Sequence, residues 1–158
     1  KNRHYQGWAE DGWLVATEGE DQDYDRIASD LVADVGGSLA AVAVDPWNSR
    51  ALTDLLRLAG VSPEQIIEVP QQVAHLSGPM KDIEAAVKAG RFHHVGDPCA
   101  TWQIGNVTVR EDPNENIFPR KDRRENKIDA ALALILAMTR AVIAPATATL
   151  EVDFVDFL

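Results

Sequence analysis

The stretch LAAVAVDPWNSRALTDLLRLAG, residues 39–60, constrains the fold more than any other part of the chain. Leu39 to Val44 is a short apolar run of small and β-branched residues, the pattern of a buried strand, and it is cut off by Asp45 and Pro46. Beyond the proline, Leu52, Leu55, Leu56 and Ala59 fall on one face at helical spacing, Asn48 or Ser49 is placed to cap the helix, and Gly60 to stop it. Strand, turn and helix in so short a span predict an α/β domain.

The flanking segments continue the alternation. Trp13 to Thr17 reads as a short strand that ends in a Gly turn, and Tyr24, Ile27, Ala28, Leu31 and Val32 predict a helix over residues 23–34 that ends at Gly36 and Gly37. Ile66 to Val69 reads as a strand; residues 76–89 read as a helix with Met80, Ile83, Ala86 and Val87 inward and Gly90 as its stop. Asp97 or Pro98 opens a short helix carrying Trp102, Asn106 to Arg110 reads as one more strand, and residues 111–126 are polar and turn-rich. From Lys127 to Ile143 the chain is apolar on nearly every side, which predicts a helix packed on both faces. After Pro145 the tail that ends in EVDFVDFL is an extended arm or an added edge strand, and the four Trp are read as core residues.

A chain of 158 residues is about the size of one ordinary domain, and 46% hydrophobic with 25% charged residues is a globular composition. The net charge of −10 argues against a general nucleic-acid or anionic-membrane surface, since both need clustered Lys and Arg. The longest apolar run, Ile128 to Ala146, contains Asp129, Thr139 and Arg140, so no membrane span is expected. Cys99 is the single cysteine, which excludes an internal disulfide and a cysteine-built zinc cluster. No signal-peptide pattern opens the chain, and an intracellular location is expected.

Two carboxylates stand out. Asp45 ends a buried strand, and ligands of open α/β sheets bind beyond the carboxyl ends of strands; the competing reading is a turn cap followed by Pro46 at the first helical position. Asp129 opens an apolar helix with Leu132 and Ala133 one turn on, so its carboxylate is expected to point toward packed structure; the competing reading is a capping-box relative with Asn126 as the cap. Together they can converge on a hard divalent cation such as Mg²⁺ or Mn²⁺, which prefers oxygen ligands, and two such ions roughly 3.5–4 Å apart clamp a scissile phosphate. Just before Asp129 lies PRKDRRENK, whose Arg120, Lys121, Arg123, Arg124 and Lys127 are either a DNA-backbone contact or a solvated loop balancing nearby acids.

The segments WAEDGWLVATEGEDQDYDRIASDL, AVAVDPWNSRALTDLLRLAGV, HLSGPMKDIEAAVKAGRFHHVGDPCATWQIGNVTV and FPRKDRRENKIDAALALILAMTRAV, in this order, resemble the nuclease domain of the large terminase subunit of tailed bacteriophages, of phage or prophage origin. VDPWN and KIDAALAL carry most of the specificity. The resemblance implies an RNase H-like fold, a mixed sheet flanked by helices, in residues 1–144, with residues 145–158 as a tail. It implies a metal-dependent endonuclease that cuts concatemeric double-stranded DNA during genome packaging in the cytoplasm of the bacterial host. Asp45 takes the role of the strand-borne ligand for Mg²⁺ or Mn²⁺, and Asp129 that of the helix-borne one; both are the catalytic residues by this likeness.

The family also places a first catalytic aspartate on a strand ahead of the part that matches Trp8, so the domain is expected to lack its first strand or strands. Asp97 stands where the family pattern leads one to expect Asn, and no GK[ST] phosphate loop is present in the chain. His94 and Asn106 are accessory candidates, although adjacent His93 and His94 on a strand would point to opposite faces. The partners implied are double-stranded DNA, the portal and the small terminase subunit, without a membrane. A rival reading is a non-catalytic assembly module that docks on the portal, the small subunit or a second copy of itself.

Overall fold

In the computed structural model, which describes residues 4–141 apart from 18, 20, 21 and 48, the apolar run before Asp45 forms a three-residue strand, β1 (Val42–Val44). It pairs in parallel with β2 (Ile66–Glu68), Val42 opposite Ile66, Ala43 opposite Ile67 and Val44 opposite Glu68. Parallel neighbours need a crossover, and the segment between them supplies a helix, α3 (Arg50–Leu58), followed by a 3₁₀ turn at Pro63–Gln65. Two other helices precede β1: α1 (His4–Glu10) and α2 (Tyr24–Val35). After β2 come α4 (Val73–Lys88), α5 (Pro98–Gly105), β3 (Val107–Glu111), β4 (Ile117–Lys121) and α6 (Asp129–Ala141). β3 and β4 form an antiparallel hairpin, so the described residues carry two two-stranded sheets, one parallel and one antiparallel.

Side chains alternate across a strand, and here both faces of the parallel pair are covered. Val42 and Ile66 pack with Ala28, Leu56 and Val61, together with Leu31, Leu52 and Leu55 of α2 and α3. Ala43 and Ile67 pack on the opposite cluster, made by Val69 just after β2, Leu76 of α4, and Ile135 and Leu136 of α6. Both α3 and α4 end in the same way: Gly60 (φ 102°) and Gly90 (φ 67°) take the left-handed conformation, and Val61 and Arg91 return their N–H groups to the carbonyls of Leu56 and Ala86 at 2.9 Å each. These are Schellman ends, and Val61 and Leu56 share one apolar cluster.

The expected α/β alternation is met, with local differences. Trp13 to Thr17 is not a strand; Trp13 and Leu14 instead donate their N–H groups to the Trp8 carbonyl, closing the end of a helix that the polar opening did not advertise. The polar segment 111–126 contains a strand, β4, bounded by a turn in which Asp112 accepts from Asn114 and Asn116. Val87, expected inward, is 54% exposed, because α4 turns Leu76, Ser77, Met80, Ile83 and Ala86 to its neighbours. Ser49 precedes α3 but makes no side-chain cap bond; Asn48 and the tail beyond residue 141 lie outside the described residues. Of the four Trp, Trp8 and Trp102 stack with His4 and Tyr5 in a half-buried aromatic cluster, whereas Trp47 is 82% exposed and Trp13 is exposed as well. No helix among the described residues is long and apolar enough to cross a membrane.

Leu76 is wholly buried where α4 meets α6 and β2, so Leu76→Ala is expected to lower unfolding free energy by about 2–5 kcal/mol. Leu58→Ala, at a residue that is largely exposed, is expected to stay within about 0.5 kcal/mol; urea unfolding of the two variants checks the contrast.

Candidate active site

Asp45 leaves β1 at its carboxyl end, and the parallel ladder continues for one more bond alongside it, from Val69 N–H to the Val44 carbonyl at 2.8 Å. The carboxylate is held from two sides: Oδ1 accepts the N–H of Trp47 at 3.1 Å, and Oδ2 accepts the side-chain amide of Gln71 at 2.6 Å. The first bond is the turn expected of Asp before Pro46. The second is not local, because Gln71 follows β2 and reaches across to the neighbouring strand. Asp45 is therefore both a turn residue and a part-exposed carboxylate fixed at the carboxyl edge of the parallel pair.

Asp129 is the first residue of α6, in the turn where a negative charge complements the helix N-terminus. Its side chain is exposed rather than directed into packed structure. The apolar contacts of α6 are made by Ala131, Leu132, Ile135 and Leu136, and Asp129 heads the opposite stripe, continued by Ala133, Ala137 and Arg140. An alanine-rich helix hides that stripe from a reading by periodicity, because Ala suits either side.

The start of α6 is held by its neighbours. The Ala130 N–H donates to Gln103 Oε1 of α5 at 2.9 Å, the service that a capping residue would otherwise give. Asn126, the expected cap, instead donates its side-chain amide to Asn106 Oδ1 and Asp122 Oδ1. Asn106, 7% exposed, donates in turn to the Lys127 carbonyl at 3.1 Å, so it fixes the segment leading to Asp129. Among the described residues no group donates a hydrogen bond to the Asp129 carboxylate.

The remaining candidates are dispersed. His93 and His94 lie in an irregular exposed segment; His94 Nδ1 accepts the Gly96 N–H, and among the described residues no three His, Cys, Asp or Glu side chains cluster as a metal site. Asp97 caps α5, accepting the N–H groups of Cys99 and Ala100 with Pro98 at the first helical position. Arg120 and Lys121 end β4 on opposite faces, and Arg123, Arg124 and Lys127 lie exposed between β4 and α6.

A cavity of about 430 Å³ opens between the end of β2 and the hairpin, lined by Gln71, Gln72, Val73, Arg110, Asp112, Asn116, Phe118 and Arg120. Gln71 and Arg110 went unseen in the sequence. Gln71 is a bland residue 26 positions from Asp45, and the significance of Arg110 depends on a partner strand that the sequence pattern conceals. Asp112 at the hairpin turn has its carboxyl held below the ordinary range, first by the Asn116 side-chain amide, then by the Asn116 N–H.

Residues 1–144 match the family described as "Terminase large subunit, endonuclease domain", and the chain belongs to that family. It is 38% identical over 142 residues to Protein YmfN of Escherichia coli (strain K12), a match covering 88% of this chain and 30% of that relative. The chain thus spans under a third of the relative's length. Its fold is similar to the large terminase of bacteriophage HK97, with a TM-score of 0.77 and 23% identity over 87% of this chain and 29% of that one. It is also similar to the large terminase nuclease of the thermophilic phage G20c, with a TM-score of 0.58 and 17% identity over 77% of this chain and 64% of that one. The fold is accordingly the RNase H-like α/β fold of these nuclease domains.

The lowered carboxyl of Asp112 sets a pH dependence for the hairpin turn. A carboxylate with a folded-state pKa below its unfolded value stabilises the fold above the unfolded value, and that contribution is lost as pH falls through the folded one. Protection of the Asn114 and Asn116 amides against hydrogen exchange, relative to their intrinsic rates, is expected to hold above the ordinary carboxylate pKa and to be lost only below it; in Asp112→Ala it is expected to be absent throughout.

Proposed function

We propose that this chain is a metal-dependent endonuclease domain of a phage large terminase subunit, acting on concatemeric double-stranded DNA in the cytoplasm of the bacterial host. Residues 1–144 form that unit and 145–158 a tail, with the portal and the small terminase subunit as partners of the whole protein. The observation that carries the reading is the Asp45 carboxylate, held by Gln71 at the carboxyl end of β1 on the strand face that Ala43 turns toward α6, the helix whose first residue is the exposed Asp129. An all-oxygen pair of carboxylates suits Mg²⁺ or Mn²⁺.

When bound, such ions supply Lewis-acid activation of the phosphodiester and of the attacking water. The chain's own contribution is placement. Gln71 and the Trp47 N–H hold the Asp45 carboxylate against rotation, and the Asn106 and Gln103 bonds set the head of α6, so the Asp45 carboxylate and the backbone that carries Asp129 are fixed before any ligand arrives. The exposed Arg123, Arg124 and Lys127 stand between β4 and Asp129, placed to meet the DNA backbone.

Supercoiled plasmid with Mn²⁺ tests the proposal. Nicking by the unaltered chain is expected to fall to background in both Asp45→Ala and Asp129→Ala, and Gln71→Ala is expected to weaken Mn²⁺ affinity about 10-fold. Nicking that survives either aspartate substitution would refute the site. No nicking by the unaltered chain would favour a docking module instead.

A further inference from the structure

We infer that the cavity between the end of β2 and the β3–β4 hairpin is a phosphate-binding subsite for duplex DNA, with Arg110 and Arg120 as its paired cations. The inference rests on the nuclease reading for the identity of the ligand, but its geometry is separate from that of the two aspartates.

The hairpin register creates the pair. Arg110 lies opposite Phe118 and Thr108 opposite Arg120, so all four share one face, with the arginines as diagonal neighbours. Lys121 pairs with Val107 on the other face, where Pro119 is buried. The basic run therefore divides at the strand: Arg120 turns into the cavity and Lys121 away from it. Thr108 Oγ donates to the Arg120 carbonyl at 3.2 Å and fixes the backbone beneath that arginine.

Two like charges on one face demand compensation, and among the described residues neither arginine makes an ion pair. The one carboxylate lining the cavity is Asp112, whose oxygens are taken up by Asn114 and Asn116 within the turn. The second described cavity differs in charge balance: its two arginines, Arg50 and Arg57, are matched by Asp54 and Glu68, and Arg57 pairs with Asp54 at 2.8 Å. Two uncompensated guanidinium groups over a concave floor of neutral amides, Gln71, Gln72 and Asn116, suit a phosphodiester, whose oxygens accept from planar donors. Gln71 also hydrogen-bonds Asp45, so a phosphate held there lies one side chain away from the cleavage site, on the same or a neighbouring nucleotide.

Binding of a short fluorescent DNA duplex to the full 158-residue chain, in EDTA and across a salt series, tests this. Arg110→Ala and Arg120→Ala are each expected to weaken binding about tenfold and to reduce the slope of log K against log salt by about 1. Arg110→Lys is expected to keep the slope. Arg26→Ala, at an exposed residue of α2 paired with Asp30, serves as the control and is expected to change neither. Unchanged slopes in both arginine-to-alanine variants, with circular dichroism intact, would overturn the subsite even if plasmid nicking persists. Lost slopes alongside DNA binding that Asp45→Ala leaves intact would sustain it even if no nicking is ever seen.

Discussion

The pairing of β1 with β2 is short, three residues on each side, yet each face of it anchors a different half of the molecule. Val42 and Ile66 hold α2 and α3, while Ala43 and Ile67 hold α4 and α6. A parallel pair covered on both faces leaves little room for polar residues except at its ends, where Glu68 closes β2 at an exposed position and Asp45 follows β1. Asp45 marks the exit of β1. A carboxylate one or two residues earlier would be buried at heavy cost, and one much later would lose the rigid strand as its mount.

This geometry explains why some of the molecule is legible in the sequence and some is not. The strand before Asp45, the helix after it and the Gly stops at Gly60 and Gly90 are encoded locally, by apolar runs and by left-handed glycines that close Schellman ends. The β4 strand is masked because IFPRK contains a proline, which argues against a strand unless the position lacks a ladder obligation; a two-stranded hairpin, all edge, leaves room for it. The exposure of Asp129 is masked by the alanines that continue its stripe. Trp47 is misleading for another reason: hydrophobicity predicts burial, but its backbone is tied to Asp45 in a turn at the rim, which leaves the indole outside.

The site's supporting contacts are the least legible because they cross long stretches of sequence. Gln71 to Asp45, Gln103 to Ala130 and Asn106 to Lys127 span 26, 27 and 21 residues, and each uses a neutral amide. An amide can donate or accept without bringing net charge, so it can position a carboxylate or a helix end without competing for a cation. Gln and Asn carry no periodicity or spacing that would single them out, and they become meaningful only when the fold brings the partner into reach. The sequence offers Asp45 and Asp129 as candidates; it does not offer the amides that hold the Asp45 carboxylate and the head of α6.

On the proposed reading, an acidic chain that handles DNA must separate its charges in space rather than in sequence. With a net charge of −10, the average surface repels a polyanion, and any productive approach must be confined to where cations are concentrated and carboxylates are occupied. The hairpin meets both conditions through one device. Its turn consumes Asp112 in hydrogen bonds to Asn114 and Asn116, and its register sets Arg110 and Arg120 on a single face. On the same reading, the acidity elsewhere would disfavour a duplex bound anywhere else on the surface and direct it toward the edge where Gln71 and Asp45 stand. Net charge and local charge thus act together, the first by excluding wrong approaches and the second by holding the right one.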